Sequence, residues 1–248
     1  MKNIFNRKSV FVKSLSVWSA FAVIITTSAP AFAAGTAVLG GSADLQNLTR
    51  ATMDKNDTNA AVFSSDAASA VLDWNRFNIG SGQSMSFNGA GTTFFNLVDG
   101  AAGRSQIDGI INGSGNVWVI NPAGIAFGAS SSVNVGGLFA AAAGNLENAA
   151  ALRDGTATMP SFSSFEGSVD ASKGTFTASQ VALMGKTVSA EGDFSNVGNL
   201  TISATGGAMD VDEVQGGKVS VNIRDFTADG SEVTLGDLHI DADTIAIH

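Results

Sequence analysis

The side chains able to carry out chemistry are few and poorly clustered. His239 and His248 are the only histidines, and both fall at the C-terminal end. There is no cysteine, which removes thiol nucleophiles, thiolate metal ligands and disulfides together. The densest carboxylates are Asp210, Asp212 and Glu213, followed by Asp237, Asp241 and Asp243. Neither group has the spacing of a calcium loop, in which oxygen ligands at set intervals converge on one ion. A polysaccharide lyase would need such carboxylates and a basic residue beside them as proton acceptor. No phosphate-binding glycine loop and no serine elbow opening a helix is present. Asn47, Asn56, Asn112 and Asn199 head N-x-S/T sequons, which chance supplies in a chain rich in Asn and Ser. The expectation is therefore no enzyme, no catalytic residue, no cofactor and no bound metal.

The most sharply shaped stretch is a turn, Asn121-Pro122-Ala123-Gly124. Asn suits the first position of a type I turn, Pro presets φ at the second and Gly suits the fourth. It joins an apolar strand containing Trp118 and Ile120 to another containing Ile125 and Phe127. The plain reading is that Pro122 and Gly124 shape one corner; the alternative is direct recognition of a partner by the turn. Trp74, Phe77 and Trp118 read as core or cap aromatics.

The elements that position this turn are short strands. Gly is abundant at 29, Pro scarce at 3, and Tyr absent. Apolar or alternating runs recur between Gly, Asn, Asp and Ser: residues 70–72, 94–98, 107–111, 117–120, 125–127, 133–135, 181–184, 200–202, 219–223 and 244–247. They are too closely spaced for helices between them, which argues against a βαβ sheet. A sandwich, a barrel and a parallel β-helix remain. Short strands, frequent glycine reversals and Asn at the turns (Asn112, Asn116, Asn121, Asn134) favour the β-helix, where stacked amides bond from coil to coil. An Ala-rich run over residues 138–152 could hold a short helix within an excursion.

The first residues read as an export leader. Lys2, Arg7, Lys8 and Lys13 precede an apolar stretch from Leu15 to Thr26, then Pro30 and Ala31-Phe32-Ala33. Cleavage after Ala33 would leave nine basic and 22 acidic residues, a net charge near −13. Such a surface repels phosphate backbones, which argues against nucleic acid as a partner. No later stretch reaches membrane-spanning length, so stable membrane insertion is not expected.

Residues 94–139, FFNLVDGAAGRSQIDGIINGSGNVWVINPAGIAFGASSSVNVGGLF, closely resemble the secretion domain of the filamentous haemagglutinin and high-molecular-weight adhesin family, the two-partner-secretion (haemagglutination activity) domain. Ser105, Ile107 and Gly109 match the family's S-x-I-x-G element. Gly115, Val117, Ile120, Asn121, Pro122, Gly124, Ile125, Phe127 and Gly128 match its N-G-x-V-F-L-I-N-P-N-G-I-x-F-G run. Val133, Asn134, Val135, Gly136, Gly137 and Leu138 match its V-N-V-G-G-L. Residues 70–80 resemble its A-x-I-x-W-x-x-F-N-I-G strand, and residues 180–185 its G-x-V-A-L-x-G coil. The resemblance runs over roughly residues 35–205. Ala123 departs from the second Asn of N-P-N-G, and the family's longer-form N-P-N-L element is missing. The second departure points to the short, adhesin-like branch.

The resemblance implies a right-handed parallel β-helix, all-β, with an N-terminal β cap and a short excursion outside the coils. The expected boundaries are 1–33 for the leader, 34–69 for the cap, 70–143 for the first coils, 144–166 for the excursion and 167–248 for further coils. It also implies an exported secretion domain of a Gram-negative bacterium. A TpsB-type outer-membrane β-barrel with periplasmic POTRA domains would recognise it and deliver it to the cell surface or medium for adhesion. Asn121, Pro122, Gly124 and Ile125 are the candidate secretion turn. Ser105, Ile107, Gly109 and residues Val133, Asn134, Val135, Gly136 and Gly137 are the accompanying motif. A host-cell or matrix receptor is a second partner the resemblance leaves room for. The competing reading is a secreted carbohydrate-active enzyme on the same fold. About 20 residues per coil at ~4.8 Å spacing gives at most about ten coils. Of Ile107, Ile110, Val117, Val119, Ile125, Val133, Val135 and Leu138, about two-thirds should face inward, because alternate strand residues point opposite ways.

Overall fold

The computed structural model describes residues 35–210, 215–228, 234–241 and 244–247, with side-chain surroundings described for 35–204. Residues 1–33, expected as a leader, both histidines and both carboxylate clusters fall outside those side chains. The chain divides into two units, residues 1–31 and 32–248, and only the second is described.

Strands stack in parallel into three walls, making a β-helix of about six turns. The first wall runs through Ser69–Arg76, Thr93–Val98, Asn116–Ile120 and residues 139–142. It continues through 181–185 and 199–204. The second is built from Ala60–Ser64, Ser84–Asn88, Ile110–Gly113, residues 132–135 and residues 175–178. The third contains Ser105–Ile107, Ile125–Phe127, Ser168–Asp170 and Thr187–Ser189. Coil length shortens along the chain. Val71 pairs with Phe95 24 residues on, Phe95 with Trp118 after 23, and Trp118 with Ala140 after 22. From Ala182 through Thr201, Ser220 and His239 each step is 19 residues.

Antiparallel strands close the N-terminal end. Thr36–Val38 lies against Ala43–Thr49, which lies in turn against Ser69–Arg76. Thr52–Asn56 lies against Ala60–Ser64, and that strand already pairs in parallel with Ser84–Asn88. Residues 60–64 are thus the seam between cap and coils.

Inward side chains form one continuous core from Val38 to Ala204, with Phe63, Trp74, Phe77, Phe87, Phe94, Phe127, Phe139, Phe176 and Phe194 its largest members. Trp74 keeps its indole N–H paired by donating to Asn96 Oδ1 (3.1 Å), and Asn96 Nδ2 donates to the Trp118 carbonyl (2.9 Å). This satisfies an amide buried inside the coils. Of the eight aliphatic residues expected in consecutive strands, Ile107, Val117, Val119, Ile125, Val133 and Val135 are buried. Ile110 is 37% exposed and Leu138 half-buried.

The Ala-rich run is mostly strand. Residues 138–142 end the strand Ser132–Ala142, and the helix is only Ala149–Asp154. Alanine prefers helix intrinsically, but Ala141 packs into the coil core and Ala140 and Ala142 into a second cluster outside it. Packing on both sides outweighs the propensity. The helix sits in an excursion with an antiparallel hairpin formed by Gly144–Leu146 and Phe162–Phe165.

Candidate functional site

The corner Asn121-Pro122-Ala123-Gly124 links the first wall to the third. Gly124 N–H donates to the Asn121 carbonyl at 3.0 Å, closing a four-residue turn. Ala123 is not among the residues with positive φ, so the turn belongs to the type I class and not type II. Asn121 is fully buried. Its Oδ1 accepts the Ala123 N–H (2.9 Å), while its Nδ2 donates to the Gly103 carbonyl (3.1 Å) and Ser105 Oγ (3.0 Å). Its own N–H donates to the Ala142 carbonyl (3.0 Å), and Ser105 N–H donates to the Gly124 carbonyl (3.0 Å). One side chain thereby ties its own turn to the loop of the coil before, and its backbone reaches the coil after. The acceptor bond to Ala123 N–H is what suits Asn to the first turn position; the two donor bonds are additional.

Glycine is required where these coils touch. Gly124 has φ +112, and a Cβ there would sit 2.9 Å from the Ser168 carbonyl. From the other side, a Cβ on Gly167 would lie 2.5 Å from the Pro122 carbonyl and 2.7 Å from Gly124 N. Gly167 carries no sequence signal, since its need arises only from stacking. Pro122 is half-buried, Ala123 exposed and Ile125 buried. Ala123 is thus the turn's outward residue, and Asn121 makes its bonds without help from a second Asn.

The other motif residues are brought to different places. Ser105 is buried and bonded to Asn121, and Ile107 lies beside it in the third wall, paired with Phe127. Gly109 N–H donates to the Ile79 carbonyl (3.0 Å) ahead of the second wall. Val133 and Val135 point into the core, while Asn134 is exposed and donates to Asn112 Oδ1 (3.4 Å) one coil back. Gly136 and Gly137 form the corner between second and first walls, where the register shifts. A Cβ on Gly137 would collide with Asn116 Oδ1 and lie 2.9 Å from the Gly115 carbonyl. Asn116 Oδ1 accepts the Leu138 N–H (2.9 Å), and its Nδ2 donates to Thr93 Oγ1 (3.1 Å). The motif is a set of coil corners and strand residues spread around the helix, and Ser105 meets the turn at Asn121, Gly124 and Ile125.

Among the described residues no group of His, Asp or Glu could hold a metal ion, and no helix is long and apolar enough to cross a membrane. Beside the turn, a cavity of about 430 Å³ lies between the excursion and the coils, lined in part by Asp73, Leu97, Ile120, Pro122, Leu146 and Arg153.

The family model of the TPS secretion domain matches residues 37–248. No curated protein matches the chain. Among solved structures, the secretion domain of HMW1 from Haemophilus influenzae is similar. It shares 19% identity with a TM-score of 0.51, covering 82% of this chain and 72% of that one. At that identity the likeness establishes the fold.

Proposed function

The chain belongs to the TPS secretion domain family, and on that premise we propose that it is the part of an exported adhesin-type exoprotein that a TpsB-type outer-membrane barrel recognises and passes to the cell surface or medium. The family is one of secretion domains and not of enzymes. The supporting observation is the extent of the match, which takes in the cap, every described coil and the Asn121 corner.

The architecture fits a chain that folds after passage. Each coil hydrogen-bonds to the one before, so a growing edge templates the next strand. The periplasm supplies no ATP, and coil-by-coil folding outside would bias movement outward. The transporter's periplasmic domains would meet the chain before it folds, by strand addition to an unfolded segment. The folded cap argues for that timing. Its edge strand Thr52–Asn56 exposes Thr52, Asp54, Lys55 and Asn56, charges and polar groups that discourage edge pairing. Adhesion, and the host-cell or matrix receptor it would require, is the finer part of the same reading. The turn residues Asn121, Pro122, Gly124 and Ile125 are assigned to secretion competence through folding.

The experiment is an immunoblot of medium and periplasm from cells that carry or lack a TpsB-type barrel partner. Protein in the medium only with the barrel is expected. Equal release without it would overturn the reading. Calcium-dependent cleavage of polygalacturonate by purified protein would instead favour the enzyme alternative.

A further inference from the structure

The coils carry two separate apolar clusters. One is the core. The other lies on the outer side of the first wall, where Val71, Phe95, Leu97, Trp118, Ile120, Ala140 and Ala142 are buried although they point away from the core. Residues 144–166 cover them, through Leu146, Ala149, Leu152, Phe162 and Phe165. The cover has little stability of its own. A six-residue helix and a two-stranded hairpin are both marginal in water without a surface to pack on. The surface they need is built mainly of strands that precede them in the chain, with Ala182 and Met184 of the next coil at its margin.

Polar contacts fix where the cover lands. Arg153 Nε donates to both carboxylate oxygens of Asp73 (2.9 and 3.1 Å), and its Nη2 donates to Oδ1 at 2.7 Å. Arg50, in the tight turn between two cap strands at φ 57, reaches the helix C-terminus. Its guanidinium donates to the Leu152 carbonyl (2.8 Å), which also accepts the Gly155 N–H (3.2 Å), to the Arg153 carbonyl, and to the Ser69 carbonyl (2.8 Å) and Ser69 Oγ (3.1 Å), so it joins the helix end to the first coil. Cap, first coil and excursion, up to 103 residues apart in sequence, meet at this point.

We infer that residues 144–166 are a clasp that closes over the outer side of the first wall, chiefly the strands before it, and can open without unfolding the coils, with Arg50, Asp73 and Arg153 as its latch. The burial of Trp118 and Phe95 supplies the attraction. An ion pair this exposed, with side-chain accessibilities of 43% for Arg153 and 16% for Asp73, mainly sets position.

The molecule contains a reporter for each state. Trp74 lies in the coil core and Trp118 under the clasp. Two single-tryptophan versions of the full chain, Trp18→Phe/Trp74→Phe and Trp18→Phe/Trp118→Phe, would each carry Arg153→Ala, Asp73→Ala, both, or the milder Arg153→Lys. The readout is acrylamide quenching without any transporter present, so it stands apart from the secretion reading. The quenching constant of Trp118 should rise about twofold or more in Arg153→Ala, as local opening exposes it, while that of Trp74 stays unchanged. Asp73→Ala should match it, the double variant should add nothing, and Arg153→Lys should fall between. Unchanged Trp118 quenching in every variant would overturn the inference. So would parallel changes at both tryptophans, which would show that clasp and coils open as one.

Discussion

The two sides of the first wall are both apolar, yet they are buried by different means. Ala70, Leu72, Trp74, Phe94, Val117, Val119 and Phe139 face the core, where the other two walls cover them. Val71, Phe95, Trp118, Ile120 and Ala140 face outward and rely on one excursion. Past the excursion the outward positions change character. Ala182 and Met184 are half-buried, Thr201 is exposed and Ser203 is half-buried, whereas Val181, Leu183, Leu200 and Ile202 keep the inner side apolar. Inner composition is thus repeated in every coil because every coil makes the core. Outer composition follows a cover that exists once.

This comparison can be broken first at the core. Phe176 lies with ring centroids 4.5 Å from Phe194 and 5.1 Å from Phe127. Phe176→Ala should cost ~3–5 kcal/mol, the range for a buried aromatic whose cavity cannot close between fixed coils. Denaturant unfolding followed by circular dichroism would measure it. Phe95→Ala, on the outer side, should cost about 3 kcal/mol or less, because a clasp can settle into the gap where a coil cannot. It should also expose residues 144–166 to limited proteolysis while the coils stay resistant. Equal costs with no new cleavage would mean the clasp is as rigid as the coils.

Corners should be less costly than core. Gly137→Ala would force a methyl against Asn116 Oδ1 and the Gly115 carbonyl, with an expected loss of ~1–3 kcal/mol from overpacking. The same unfolding curve reads it out. The smallest effect is acid. Hydrogen bonds hold three carboxyls below their ordinary 3.8: from Ser64 at Asp54, the Asn59 backbone at Asp57 and Ser195 at Asp193. Groups whose folded values are depressed contribute stability above the unfolded value, and lose it as pH falls through the folded one. Stability should therefore be flat above about pH 4 and decline below it. All three groups are at the surface, so the midpoint should move less than in any substitution above.

Much of this architecture can be read in the chain before folding. Phe94-Phe95 and residues 117–120 are unbroken apolar runs, and such runs mark strands buried on both faces. The Asn residues at turns do bridge coils, Asn112 to Ser86 and Asn134 to Asn112, each at 3.4 Å. Other features depend on contacts far apart in sequence. The Asp73–Arg153 pair is 80 residues apart, and neither residue stands out in its own segment. Gly167 looks like any loop glycine until Pro122 is stacked on it. The Ala run at 140–143 reads as helix by propensity, because no local pattern announces that both its faces will be covered.

The Asn121 corner ties successive coils together, and the proposed delivery rests on that folding. Asn121→Ala removes the acceptor for Ala123 N–H and the donor to Gly103 and Ser105 in a fully buried place, at ~1–3 kcal/mol for the unpaired groups. Pro122→Ala only frees a preset φ and should do less. The measurement is an immunoblot of medium and periplasm for both variants in cells that carry the barrel partner. The account predicts that Asn121→Ala is processed normally, falls in the medium and is degraded in the periplasm, with Pro122→Ala close to wild type. Secretion of Asn121→Ala equal to wild type would contradict it and move the recognition surface to the N-terminal cap.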